Sequence, residues 1–440
     1  MVRRQLHPKP IFDEGALRSF LLGHGAKEVH LLKIWKHLLA EPECPLDQIP
    51  GIPEHIRSPL KEEFVVLSSK VAEVSESKLD ETVKLLIRLQ DGSEVEAVLI
   101  RHTGETEDPA ARQAPRCGQR ETLCVSSQVG CKLGCTFCAT GTMGLQGNLW
   151  SGEILEQLIH ARKLRPVSNV VFMGMGEPLE NYDSVTAAIR SLVDPQTFGV
   201  APSSITVSTV GIVNNMRRFM NDLPKVRLAW SLHAPTQELR EKIVPIGRVF
   251  KLDSLMEVLD EYAERNVKGK GSVMVSYVLL AAVNDTDECA QQLINLVRGR
   301  PVIVNLIPYN SFEENSHGYK TPSPERVDAF LAALQDADIR VFHRRHHGRD
   351  IAAACGQLAK KGTANKTSDV EDCGSIFLGN GQDSSRAKAH AKLSSDVTAV
   401  PSEIACGQRL PLPRSNLAIA ASALVLLAGL AICRRCSSSS

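Results

Sequence analysis

The 440 residues carry 51 Lys plus Arg against 50 Asp plus Glu, so no global charge is available to recruit a polyanion, and any basic footprint must be a local patch. A hydrophobic fraction of 43% belongs to a globular chain with a real core, and the length suggests two or three folding units. The opening "MVRRQLHPKPIFDEG" has charge but no apolar run behind it, and Asp13 and Glu14 arrive too early for a transit peptide. The 12 cysteines therefore point to metal or redox chemistry in a reducing compartment, not to a secreted disulfide framework.

In chain order, "GALRSFLLGHG" and "HLLKIWKHLLAE" carry apolar residues at helical spacing, and the Pro-rich "CPLDQIPGIPEHI" punctuates them. "KLLIRLQDGSEVEAVLI" alternates around Asp91-Gly92 and predicts a hairpin. Residues 1–105 thus read as a small N-terminal α+β accessory unit, followed by an exposed polar loop over 106–123.

Over 124–360 the rhythm becomes strand, loop, helix, repeated. "SNVVFMGMG", "SSITVSTVG", "VRLAWSLHA", "GSVMVSYVLL", "PVIVNLIPYN" and "IRVFHRR" are near-continuous apolar strands. Amphipathic helices separate them. "SGEILEQLIHARK" offers Ser151 as N-cap, and "DSLMEVLDEYAERN" puts Leu255, Val258, Leu259 and Tyr262 on one face. The predicted fold class is α/β, an open partial (β/α)6 barrel whose strand C-termini carry the site. Residues 361–414 are polar and aperiodic, and read as a disordered linker. In the tail, 415–440, Leu417 to Cys433 carry no charge and precede Arg434 and Arg435. That stretch reads as a short membrane anchor in preference to an Ala-rich helix packed on the protein itself.

"CVSSQVGCKLGCTFCATG" gathers Cys124, Cys131, Cys135 and Cys138. All four could hold a structural zinc. Alternatively, the C-x3-C-x2-C trio could hold a [4Fe–4S] cube by three irons, leaving the fourth open to a substrate. That spacing, at a strand end with Phe137 before the last cysteine, is the pattern of radical S-adenosylmethionine enzymes. "VVFMGMGEPLEN" supplies Gly174 and Gly176 for close backbone approach and Glu177 for a cationic amine. Further strand ends place Ser208, Ser231, Leu232, His233 and Asn310 where a pocket gains its few fixing hydrogen bonds. "HRRHHGRD" is a dense basic stretch suited to phosphate, with a solvated loop as the plainer reading. Behind it, Cys355 sits among alanines, where a lone cysteine is most often core.

Jointly, "LCVSSQVGCKLGCTFCATG", "FMGMGEPLENYDSV", "SLHAPTQELREKIVPI", "VNLIPYN" and "GRDIAAACGQL" resemble the RlmN type of dual-specificity ribosomal and transfer RNA adenine-C2 methyltransferases, over about residues 12–360. The resemblance implies that Cys131, Cys135 and Cys138 hold one [4Fe–4S] cluster with S-adenosylmethionine on its open iron. It also implies that Cys355 is methylated and carries the methyl carbon to C2, and that Cys124 resolves the enzyme–RNA adduct through a Cys124–Cys355 disulfide. Glu96 falls at an acid/base position, and Gly176, Glu177, Ser208, Ser231, Leu232, His233 and Asn310 at cofactor-binding positions. Arg101 and a long insertion follow Glu96 where the family has a Pro, and a second "ACGQ" at 405–408 has no assigned role. Implied partners are ribosomal and transfer RNA and an electron donor such as flavodoxin or ferredoxin. A monomer in the cytoplasm is expected, with tail contact to an organelle membrane through residues 417–433 and a plastid or mitochondrion as the alternative location. Adenine-C8 methylation and a zinc-stabilised RNA-binding module are the competing functions.

Overall fold

A computed structural model describes residues 4–102, 120–265, 273–312, 316–344 and 347–358. The expected linker and apolar tail, with residues 417–433, lie outside them, as do Arg345 and His346 and most of the 106–123 loop. Among the described residues no helix is long and apolar enough to cross a membrane.

Ten strands form one sheet. Seven are parallel and follow chain order across it. They are β6 (Arg120–Cys124), β9 (Asn169–Phe172), β10 (Ile205–Thr209), β11 (Arg227–Ser231), β12 (Val273–Leu279), β13 (Val302–Pro308) and β14 (Val341–His343). Antiparallel strands β5 (Glu94–His102), β4 (Val83–Arg88) and β3 (Lys70–Glu76) continue it beyond β6. The order ends at β14 and β3 without closure, as expected for an open partial barrel. Short pairs β1 (Lys9–Pro10) with β2 (Phe64–Val65), and β7 (Gln128–Cys131) with β8 (Gly144–Asn148), stand apart. The first six parallel strands each lead to a covering helix: α5 (Ser151–Arg162), α6 (Tyr182–Val193), α7 (Val213–Asp222), α9 (Leu252–Arg265), α10 (Asp287–Val297) and α11 (Pro324–Asp336). Strand side chains are buried on both faces, Val207, Trp230, Val275, Tyr277 and Val304 completely on one and Ala229, Ser276 and Asn305 on the other, because helices cover one face and the barrel interior is filled.

Residues 4–102 supply helices α1 (Glu14–Gly23), α2 (Val29–Ala40) and α3 (Glu54–Glu63), plus the hairpin around Asp91-Gly92. Gly92 has φ +85° there, which suits the turn. The register Val98↔Cys124 joins this hairpin directly to the core sheet.

Three local expectations are corrected. Residues 120–123 lie in β6 and not in the loop expected over 106–123; Glu121 is buried by pairing with Arg101, and its charge hid the strand. The N-cap of α5 is Trp150, whose N–H is taken by the Glu153 carboxylate at 2.9 Å, while the Ser151 hydroxyl donates to Asp13 at 2.8 Å. Nor is α5 amphipathic: Glu153, Glu156, Gln157 and His160 are all buried. Glu156 accepts the Ser68 and Ser69 N–H groups at 2.8 and 2.9 Å, and Glu153 pairs with buried Arg4 at 2.8 Å, so the N-terminal segment covers what the sequence presents as a polar face.

Candidate functional site

The cysteine loop is pinched by the β7–β8 hairpin. Gly130 has φ +73°, and a Cβ there would fall 1.9 Å from the Gly144 carbonyl oxygen, so only glycine lets the two strands close. Beyond it, the loop turns through α4 (Ala139–Thr142), with the Cys138 N–H on the Cys135 carbonyl at 3.1 Å. Cys131, Cys135 and Cys138 pack against an apolar cluster separate from the main core. Leu133, Phe137, Val210, Ala234, Val278 and Tyr309 belong to it, and the last four follow or end strands β10 to β13. The thiols are partly accessible but deep in the barrel mouth. Burial pushes all three pKa values up, Cys135 to about 12, and Cys138 raises Cys135 further. Three thiols that resist ionising alone suit a cationic iron–sulfur group that takes them as thiolates.

Cys124 is not part of this set. Among the described residues no three His, Cys, Asp or Glu side chains converge tightly enough to hold a single metal ion. Cys124 ends β6 and instead faces Cys355 across a narrow pocket, with Val98, Met173, Ile307 and Arg344 also in its wall. Burial pushes the Cys124 thiol up to about 12, with Cys355 adding to the shift and Arg344 opposing it. Strand alternation puts Glu96 on the same face of β5 as the pocket-lining Val98, and its carboxylate pairs with Lys84 at 3.0 Å.

Cys355 sits in a loop tied from two sides. Asp350 accepts from the Ser77 hydroxyl at 2.7 Å and the Lys78 N–H at 2.8 Å, and Asp80 accepts the Gly348 N–H at 3.0 Å. On the other side the Ala139 N–H reaches the Gly356 carbonyl at 2.8 Å, and Asn310 donates to the Cys355 carbonyl at 3.4 Å. The methyl-carrier candidate is thus bonded through its backbone to the thiol loop. Cys355 also adds to the upward shift of Cys138, as it does to that of Cys124.

The predicted cofactor-binding residues follow successive strand ends. Gly176 has φ +96°, and a Cβ there would meet the Gln128 Cβ at 2.5 Å. Glu177 sits in the same region, but its carboxylate is turned inward, accepting the Val210 and Leu179 N–H groups at 2.9 and 3.0 Å. Burial raises its pKa to about 7 against those hydrogen bonds. The Ser208 and Ser231 hydroxyls are 3.2 Å apart on β10 and β11. Leu232 is buried, and its N–H meets the Ser276 carbonyl at 3.1 Å. His233 takes φ +59°; its Nδ1 accepts the Val278 N–H at 3.1 Å, and burial lowers its pKa to about 3, so the ring is neutral. Phe137 of the thiol loop packs edge-on against that ring at 4.8 Å.

Arg344 and His347 are members of the basic stretch that line this pocket, which the sequence could not single out. Lys84 and Arg240 were missed entirely. Each has a periodic surface-like setting in sequence, and only tertiary contact reveals it.

An open β/α sheet with a C-x3-C-x2-C thiol loop at its strand C-termini defines a radical S-adenosylmethionine enzyme. Residues 125–297 match the Radical SAM superfamily model. A probable dual-specificity RNA methyltransferase RlmN 2 of Protochlamydia amoebophila is 38% identical over 353 residues, 79% of this chain and 93% of the relative. A dual-specificity RNA methyltransferase RlmN of Pelobacter propionicus is 38% identical over 346 residues, 79% of this chain and 94% of that one. The crystal structure of a radical SAM methyltransferase from Sphaerobacter thermophilus superimposes with a TM-score of 0.69 at 33% identity, covering 80% of this chain and 99% of that one. The chain belongs to the RlmN family of dual-specificity RNA methyltransferases. It is an enzyme of the radical SAM superfamily, whose cofactors are a [4Fe–4S] cluster and S-adenosylmethionine.

Gly176 gives a direct prediction. Gly176→Ala places a Cβ against Gln128 in a left-handed conformation, at a cost of about 2–4 kcal/mol. Weaker S-adenosylmethionine binding by equilibrium dialysis and a lower urea midpoint are expected; wild-type values for both would refute the close-approach role.

Proposed function

We propose that the protein methylates C2 of adenine in large-subunit ribosomal RNA, and in transfer RNA, through a methylcysteine. The observation that carries this is the meeting of Cys124 and Cys355 in one pocket beside the thiol trio. Adenine C2 is an electrophilic amidine carbon, so direct attack on a sulfonium methyl is not open to it.

Cys131, Cys135 and Cys138 would hold the cluster, and Gly176, Ser208, Ser231, Leu232, His233 and Asn310 would line the S-adenosylmethionine site, with inward-facing Glu177 holding the β9 and β10 ends together. When bound, these groups supply a transferable methyl and the one-electron chemistry that removes a hydrogen atom from it. The chain's own residues do the rest. Cys355 accepts the methyl on sulfur and presents its carbon to C2. Cys124 takes the C2 proton while the adduct's odd electron would return to the one-electron group when it is bound; Cys124, deprotonated again, then attacks the Cys355 sulfur, the sulfur–carbon bond breaks with its electron pair on carbon, and that carbon takes a proton, leaving 2-methyladenine and a Cys124–Cys355 disulfide. Glu96, held by Lys84 and on the same strand face as the pocket-lining Val98, is the acid/base group of this reading. Arg344 stands where a substrate phosphate approaches.

The reading extends to residues 1–105 as the RNA-contacting region, 124–360 as the catalytic core and 361–414 as a linker. It also includes a flavodoxin- or ferredoxin-type donor, a monomeric state, and residues 417–433 as a tether that leaves the enzyme facing the cytoplasm.

The test is anaerobic single turnover of the iron–sulfide-reconstituted chain on ribosomal and transfer RNA transcripts with methyl-labelled S-adenosylmethionine. 2-Methyladenosine is the expected nucleoside. 8-Methyladenosine would assign the sister activity, and a clustered protein that forms neither would overturn the reading.

A further inference from the structure

Arg240 lies on α8 (Gln237–Ile243), in "ELREKIVPI", and its position along the helix looks like that of any solvated arginine. In the fold it is completely buried. Nη2 donates to the Val210 carbonyl at 2.5 Å and Nη1 to the Phe250 carbonyl at 3.5 Å, while Nε has no hydrogen-bond partner. Among the described residues no carboxylate comes within ion-pair distance of it. The Val210 N–H, on the preceding peptide link, goes to Glu177.

Burying a guanidinium without a counterion costs several kcal/mol, and two carbonyls could be satisfied by a neutral amide. The charge itself therefore needs an explanation, and the neighbourhood supplies one. The end of α8 packs on the cysteine loop, where the Thr136 N–H meets the Ile243 carbonyl at 3.1 Å. Cys135 is the ionisable group whose charge Arg240 senses most. Its other titratable neighbour, His233, is neutral and adds no charge.

We propose that Arg240 is the fixed countercharge of the cluster held by Cys131, Cys135 and Cys138, and that it sets the cluster's reduction potential. This rests on the cluster reading above. Reduction by an external one-electron donor makes the bound cluster one unit more negative. A buried, permanently charged guanidinium beside it stabilises the reduced state and raises the potential.

The experiment is a dithionite potentiometric titration of the reconstituted full chain, followed by electron paramagnetic resonance, for wild type, Arg240→Lys, Arg240→Gln and Arg240→Met. Iron content and thermal midpoint are measured on each. In the neutral variants the reduced-to-oxidised ratio at a fixed poise should fall at least tenfold, a shift of 59 mV or more to negative potential. Arg240→Lys should stay near wild type. Wild-type potentials in Gln or Met, or an equal drop in Lys, would overturn the proposal. If the neutral variants hold no cluster, a clustered Lys variant supports the charge requirement, and an empty Lys variant refutes it in favour of a purely hydrogen-bonding role. A wild-type protein with no cluster signal would instead sink the cluster reading itself.

Discussion

Cys355→Ala is expected to lower RNA methylation by a factor on the order of 10³ or more, while cluster absorbance and thermal stability stay at wild-type levels. The size follows from what the substitution removes. An absent nucleophile leaves the methyl with no carrier, and no neighbouring group can replace it. Cys124 faces the same pocket, but its thiol is pushed up to about 12 and is almost wholly neutral at physiological pH. The selectivity follows from how the loop is held. Asp350 on Ser77 and Lys78, Asp80 on Gly348, and Ala139 on Gly356 bond through backbone or through other side chains. The Asn310 contact uses the Cys355 carbonyl, which alanine keeps. Transfer of methyl label to RNA, measured beside iron content, checks both halves. Unchanged transfer would refute the carrier role, and parallel loss of iron would mean that Cys355 supports the cluster site and is not a separate carrier.

The parts of this molecule that could be read from sequence are those whose signal is local. The thiol trio declares itself by spacing, and β9 to β13 by runs such as "GSVMVSYVLL" that no half-exposed strand would carry. Glu96 and Cys355 were nameable only by resemblance, since a strand carboxylate and a cysteine among alanines are ordinary in themselves. The Val98↔Cys124 register sets the strand of Glu96 beside Cys124, and the loop of Cys355 is anchored from two sides.

What escaped the sequence depends on partners distant in the chain. The buried polar face of α5 was unreadable because its cover, Arg4, Asp13, Ser68 and Ser69, precedes it by a whole hairpin and loop. Strand β3 was missed because its Lys70, Glu73 and Glu76 are the charges of a sheet edge and break the apolar alternation. Glu177 was read as open to a cationic ligand, whereas its carboxylate ties the β9 and β10 ends together. In each case a polar residue has its partner supplied by the fold.

Cys124→Ala is expected to leave protein covalently joined to RNA, visible as a slow-migrating band that resists denaturation and disappears on nuclease treatment. Without the resolving thiol, the Cys355 sulfur stays bonded through the methyl carbon to adenine, and turnover stops after one event. The wild-type environment explains why resolution waits for that adduct. A Cys124 thiolate formed early would compete with Cys355 for the sulfonium methyl. Burial prevents this by holding the proton on Cys124, and the neighbouring Cys355 charge adds to the same effect. Once Cys355 carries carbon it can no longer ionise. Its like-charge contribution is then gone, while Arg344 still favours the Cys124 thiolate. The sign of the pH dependence follows. Because the thiol pKa lies above the ordinary value, the wild-type adduct should resolve faster as pH rises through the neutral range, whereas the Ala variant's adduct should persist at every pH. A gel showing only free RNA in the variant would remove Cys124 from the resolving role, and a pH-independent wild-type rate would separate resolution from its ionisation.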